Sequence, residues 1–180
     1  PEQLRYYEEA VALMSEFRHG RLSASQVFDA DKVARRIALL DVLGGHRSLD
    51  WSDAKFYFDP VLKRIEPVAY ESFSAQPIRD IAGADQWSGS QEPWQDLYTA
   101  WFNDPVLFRA YIHHLERFSE PSYLDSALNV LRPALDTAAA TVYGEFPYKE
   151  LDRSIYAQNQ KIIKAVLDVP KGFHAYRGSM

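Results

Sequence analysis

The chain contains no cysteine. That excludes disulfide cross-links and thiolate chemistry, although it leaves the compartment open, because many secreted bacterial proteins also lack cysteine. Long hydrophobic runs are missing too. A membrane span needs roughly 18 apolar residues, and the longest candidate here, RRIALLDVL, is broken by Asp41. Positive charge is not in excess: the net charge is −5, which argues against a broad nucleic-acid footprint. No signal-peptide pattern is present. No phosphate-binding loop occurs, neither GxxxxGK[ST] nor GxGxxG, and Ser88 and Ser90 lack the strand-turn-helix context of a nucleophile elbow. There is no internal repeat and no low-complexity tract. The sequence opens on Pro1 rather than Met, so the expectation is a piece of a longer chain.

What is present is enough apolar material for a real core. Of 180 residues, 47% are hydrophobic and 14% aromatic, which fits one domain over 1–180. The pattern predicts a helical start, a short β centre and a long helical end: a mainly α protein with a short β-hairpin (α+β). Leu4, Tyr7, Val11 and Met14 recur at helical spacing, and His19-Gly20 ends that helix, with Gly20 as a left-handed cap. Ser23 to Phe28 reads as a loop or short turn. A second helix starts near Asp29 or Asp31, either of which can cap it. It buries Val33, Ile37 and Leu40, with Ala34, Ala38 and Val42 beside them, and stops at Gly44-Gly45. The run KFYFD then reads as a strand, Pro60–Lys63 as a turn and RIEPVAY as a second strand. Ser74 to Gln91 lacks any sustained period and reads as a long loop, with Trp87 as an anchor. A helical bundle is expected over 92–170. Glu92-Pro93 opens its first helix, with Leu97 and Trp101 inward. Asp104 caps the next, with Pro105 at its first position and Leu107, Tyr111, Leu115 and Phe118 as its stripe. Glu120-Pro121 starts another, with Leu124, Leu128, Leu131 and Leu135 inward and a kink at Pro133. A last helix covers about Leu151 to Leu167, and Pro170-Lys171-Gly172 ends it. The aromatic series Tyr98, Trp101, Phe102, Phe108 and Tyr111 is spaced as a helical core.

The candidate chemistry lies over 46–73. Asp50 and Asp53 precede the first strand, and Glu71 ends the second. Carboxylates on loops beside short strands are what a magnesium-phosphate centre needs, because hard cations take oxygen ligands and the protein's part in phosphoryl transfer is positioning. From spacing alone, turn, cap and solvated roles account for all three. His113 and His114 are adjacent, so a helix points them about 100° apart and they do not share one metal. They read, with His19, His46 and His174, as surface or helix-end histidines, His46 being the one beside Asp50. Gly44-Gly45 reads as a helix stop.

The order of these segments resembles the CotH-type spore-coat kinases, atypical members of the protein-kinase-like fold. In that family a helix of small and aliphatic residues leads to an N-x-D-x-x-x-N-type loop. A strand of the form N-x-Y-L-Y-x-D follows, then a second strand ending in P-W-D-x-D, then a helix with N-P-x-F-x-x-x-Y. Here DKVARRIALLDVLGGHRSLD is similar to the helix and loop, DAKFYFDP to the first strand and IEPVAYESF to the second. NDPVLFRAYIHHL is similar to the later helix and QKIIKAVL to the closing one. The likeness covers about residues 25 to 170, the C-terminal lobe. It implies that Asp50, or Asp53 in a shifted register, orients the acceptor hydroxyl and that Glu71 holds the metal. The family's metal-binding asparagine falls at Lys55 or Ala54, its tryptophan at Tyr70 and its next aspartate at Phe73 or Ser74. Those departures make the implied function that of a degenerate, pseudokinase-like lobe with a binding or scaffolding role in a cell-envelope or surface assembly. The alternative is an active ATP- and magnesium-dependent Ser/Thr protein kinase once joined to a nucleotide-binding lobe. A third reading is an unrelated helical partner-binding domain. The resemblance implies a protein partner or protein substrate and an extracytoplasmic or cell-surface setting in a bacterium. ATP and magnesium would serve only an active form, and neither is evident from this chain alone.

Overall fold

The computed structural model of the chain describes residues 2–45, 48, 54–70, 72, 75–82 and 97–168. It is mainly helical with one two-stranded antiparallel sheet among the described residues. The elements run α1 (Glu2–Arg18), α2 (Ala24–Val27), α3 (Ala30–Leu43), β1 (Phe56–Asp59), β2 (Arg64–Pro67), α4 (Leu97–Phe102), α5 (Pro105–Phe118), α6 (Pro121–Glu145) and α7 (Ser154–Leu167).

Helix α3 is the spine. Asp29 caps it, its Oδ1 accepting the Lys32 N–H at 3.1 Å, and Gly44 closes it in the left-handed region at φ 65. Its expected stripe is buried throughout: Val33, Ala34, Ile37, Ala38, Leu40 and Val42 are each 2% exposed or less. That face packs on α5 and α7, and its start meets β2. Helix α5 answers with Leu107, Tyr111, Leu115 and Phe118, all buried. Its cap is Asp104, which accepts from the N–H groups of Val106 (2.8 Å) and Leu107 (3.4 Å), with Pro105 first in the helix.

The hairpin pairs Phe56 with Pro67 and Asp59 with Arg64, shorter at both outer ends than the sequence pattern. Its turn is held by Asp59, whose Oδ1 accepts from Val61 and Leu62. An isolated parallel bridge joins Phe28 to Ile65, with the Asp29 N–H donating to the Ile65 carbonyl at 3.0 Å. The hairpin is thereby tied to the start of α3. Phe28 lies at the centre of an aromatic cluster, with ring centroids 4.9 Å from Phe17, 5.6 Å from Trp101 and 5.7 Å from Phe56.

Five expectations are corrected. Ser23–Phe28 holds a helical turn, α2, because Val27 and Ala24 bury against the core. The last helix begins at Ser154 rather than Leu151. The stripe of α1 faces outward, with Leu4, Tyr7 and Val11 exposed. Most of α6 does too: Leu128 is its one buried residue, and Leu131 is 52% exposed. Of the aromatic series, Phe108 is also exposed. Trp87, Glu92, Pro93 and Pro170–Gly172 lie outside the described residues.

Candidate functional site

Asp50, Asp53, Glu71 and His46, and the positions Phe73 and Ser74, lie outside the described residues. The structure instead fixes what flanks them. Arg36, on the half-buried side of α3, donates from Nη1 to Ser72 Oγ at 3.0 Å and from Nη2 to Ser48 Oγ and the Tyr70 carbonyl, both at 3.3 Å. Ser48 stands just ahead of Asp50; Tyr70 and Ser72 bracket Glu71. The segments carrying the expected catalytic and metal residues are thus tied, at their described flanks, to one guanidinium. Burial draws the Arg36 pKa below its ordinary value, and its Nε is buried with no hydrogen-bond partner among the described residues.

The glycine pair makes this approach sterically possible. A Cβ on Gly44 would lie 1.9 Å from the Gln76 carbonyl oxygen, and one on Gly45 would lie 2.3 Å from that of Ser72. The backbone at Ser72 and Gln76 therefore passes directly against the end of α3, where only glycine leaves room. Buried polar side chains hold the same stretch from the other side. Asn159 Oδ1 accepts the Ile78 N–H at 3.0 Å, and its Nδ2 donates to the carbonyls of Val42 and Gln76. Asp41 accepts from Tyr111 Oη at 2.7 Å and from the Ala82 N–H at 2.8 Å.

Lys55, where the resemblance places a metal-binding amide, sits with its Nζ 5.3 Å from the centroid of the Tyr70 ring. Its carbonyl accepts the Val68 N–H at 2.8 Å, which extends the hairpin pairing toward the site. Two cations therefore meet Tyr70, Arg36 at its carbonyl and Lys55 at its ring. Beside them a groove of about 310 Å³ is lined by Lys32, Arg35, Arg36, Leu39, Leu43, Pro67 and Ser72. Lys32 bonds Glu66 and lies 3.5 Å from Asp29. The bond to Glu66 holds its ammonium above the usual lysine range. Arg35 is exposed and has no ion-pair partner among the described residues. Among those residues no cluster of three or more His, Asp or Glu side chains is arranged to hold a metal.

The chain matches no family model, no curated protein and no solved structure. The site must therefore be read from its own chemistry.

Two larger clefts lie elsewhere. One, of about 580 Å³, runs between α1 and the hairpin among Tyr6, Tyr7, Met14, Phe56 and Phe58. The other, of about 610 Å³, sits where α1 and α2 meet the start of α5. Neither contains an expected site residue. His114 is corrected from a surface residue to a buried one: it is 7% exposed, its Nε2 is 2.8 Å from Asp31 Oδ1, and its ring stacks on Phe118. Its neighbour His113 is exposed. Sequence reading missed Arg36, Ser48 and Ser72 as the joint of the site. It also missed Asp41 and Asn159 as anchors, although both are in phase with buried stripes: Asp41 four residues after Ile37, Asn159 four before Ile163.

Proposed function

We propose that the chain is a binding lobe of kinase-like type that takes a phosphate-bearing ligand without a metal and does not turn it over. The observation that carries the reading is the cationic lining of the groove: Arg36 is committed to the flanks of both candidate loops, and beside it Arg35 and Lys32 line the same groove. Guanidinium groups suit phosphate because their fork of N–H donors matches its oxygens. Leu39, Leu43 and Pro67 give the groove an apolar wall for the rest of the ligand. The CotH resemblance would put the metal-binding asparagine at Lys55 or Ala54, and neither side chain offers the neutral oxygen that a divalent cation takes there. A nucleotide is the ligand that the CotH resemblance suggests, with Asp50 (or Asp53) and Glu71 as the residues an active form would use.

Calorimetric titration with ATP, run with magnesium and again with EDTA, tests this. Binding should persist in EDTA. Arg35→Ala, at an exposed position, should weaken it about 10-fold or more, the usual scale for one charge-assisted hydrogen bond. Binding that requires magnesium would favour the active-kinase reading; absence of binding under both conditions would remove the phosphate reading altogether.

A further inference from the structure

The cleft between α1 and the hairpin is apolar along its length and cationic at one end. Tyr7, Val11 and Met14 line it from α1, and Phe56, Phe58 and Ile65 from the hairpin. The lining runs from Tyr6 to His19, about 20 Å of helix at 1.5 Å per residue. Its volume of about 580 Å³ falls in the range of small-molecule sites. At the Tyr6 end the hairpin closes on the helix: the Tyr6 and Phe58 ring centroids are 6.5 Å apart, and Lys63 pairs with Glu9 at 2.9 Å.

The other end carries charge that the chain does not answer. Arg18 is exposed and has no hydrogen-bond or ion-pair partner among the described residues. The acid nearest to it in sequence, Glu16, is taken by Arg21 through two bonds of 2.6 Å. His19 stands beside Arg18 in the lining. Its Nδ1 lies 2.7 Å from the Ser15 carbonyl oxygen, which only accepts, so Nδ1 is the donor and Nε2 has no partner among the described residues. A helix C-terminus repels anions through its free carbonyls. Here the carbonyls of Ser15, Glu16 and Phe17 accept from the N–H groups of His19, Arg21 and Gly20, which blunts that opposition.

We propose that this cleft binds a single-chain anionic amphiphile as a free monomer. The alkyl chain lies between α1 and the hairpin, and the carboxylate sits at Arg18 and His19. Charge complementarity selects this occupant. An uncharged apolar ligand leaves the Arg18 guanidinium unused, whereas a carboxylate matches its fork of donors. A cationic amphiphile meets it with repulsion. A bilayer surface does not fit, because the cleft is concave: Ile65 in its wall is 2% exposed, out of reach of a flat surface. The cleft shares no lining residue with the groove beside Arg36, so this site is separate from the phosphate one.

Calorimetric titration with dodecanoate, kept below micelle formation, should show a single site. Affinity should fall a few-fold per methylene removed, in decanoate and then octanoate. Arg18→Gln should weaken decanoate about 10-fold, the scale of one charge-assisted hydrogen bond, and leave the affinity for uncharged decanol as it was. A merely structural role for Arg18 would move both together. Val11→Glu, at a position 48% exposed in the cleft wall, should abolish binding of both ligands. Val130→Lys, 80% exposed on α6, should change neither. With a net charge of −5, diffuse attraction favours a cation, so dodecanoate binding more tightly than dodecyltrimethylammonium supports a specific carboxylate contact. Sedimentation with phosphatidylglycerol vesicles should leave the protein in the supernatant. No binding of dodecanoate, equal or tighter binding of the cationic amphiphile, indifference to Arg18→Gln or to Val11→Glu, or protein carried down with the vesicles would each overturn the proposal.

Discussion

Single polar residues fasten the helices of this fold to one another. Asp104 caps α5 and also accepts the Ser25 N–H at 2.7 Å, so one carboxylate fixes two helix starts. Burial alone would raise its pKa, but the hydrogen bonds from Ser25, Val106 and Leu107 together hold it below the usual carboxylate value. Asp104→Ala should cost about 2–4 kcal/mol, a lost cap plus an unsatisfied Ser25 N–H, measurable by urea unfolding. The sign of the pH effect follows from the lowered folded-state pKa. The carboxylate's contribution is fully present above its unfolded value of about 3.9 and is lost as pH falls through the folded value. The stability gap between the wild type and Asp104→Asn should therefore be open at neutral pH and close in strong acid. Asn159→Ala should cost about 3 kcal/mol or more, since it strands the Ile78 N–H and two carbonyls that one amide now serves. The role of Asp104 was legible because Asn-Asp-Pro before an apolar stripe has few other uses. Asp41 and Asn159 were not, because a polar residue inside a helix reads as solvent-facing until the phase of the neighbouring apolar positions is checked.

At the scale of elements, the period of each helix was readable, but not whether its apolar face has a partner. Helices α3 and α5 bury their stripes on each other, whereas the stripes of α1 and α6 have the same spacing and face outward. Periodicity reports that a face is apolar; only the three-dimensional packing says what covers it. The glycine pair shows the same division. Gly44-Gly45 was readable as the end of α3, but its second use, admitting the backbone of Ser72 and Gln76, depends on chain segments far apart in sequence. Gly45→Ala should consequently loosen the loop against α3 while leaving the helix itself intact. Amide exchange should quicken at Ile78 and Ala82, whose N–H groups are held by Asn159 and Asp41, with little change across residues 30–43. Unchanged protection at Ile78 and Ala82 would contradict the close approach.

For the whole molecule, the fold class was legible because two helical blocks flank a single alternating segment with a turn between its halves. Of the candidate site, only the flanks lie among the described residues. The sequence pointed to the loops around Asp50 and Glu71, and their described flanks do meet, but at Arg36, which no spacing rule singles out. A lone arginine on a helix ordinarily reads as a solvated charge. Arg36, Arg35 and Lys32 give the groove beside those loops a cationic lining, with Lys55 across Tyr70. Recognition of phosphate without a metal and without transfer is the central claim. The most direct measurement is phosphorus-31 NMR of ATP mixed with the protein, first in EDTA and then after magnesium is added in excess. The account expects the β- and γ-phosphate resonances to shift or broaden in EDTA and the nucleotide to remain ATP after magnesium is added. Resonances that respond only when magnesium is present, followed by conversion to ADP that Asp50→Ala abolishes, would contradict it.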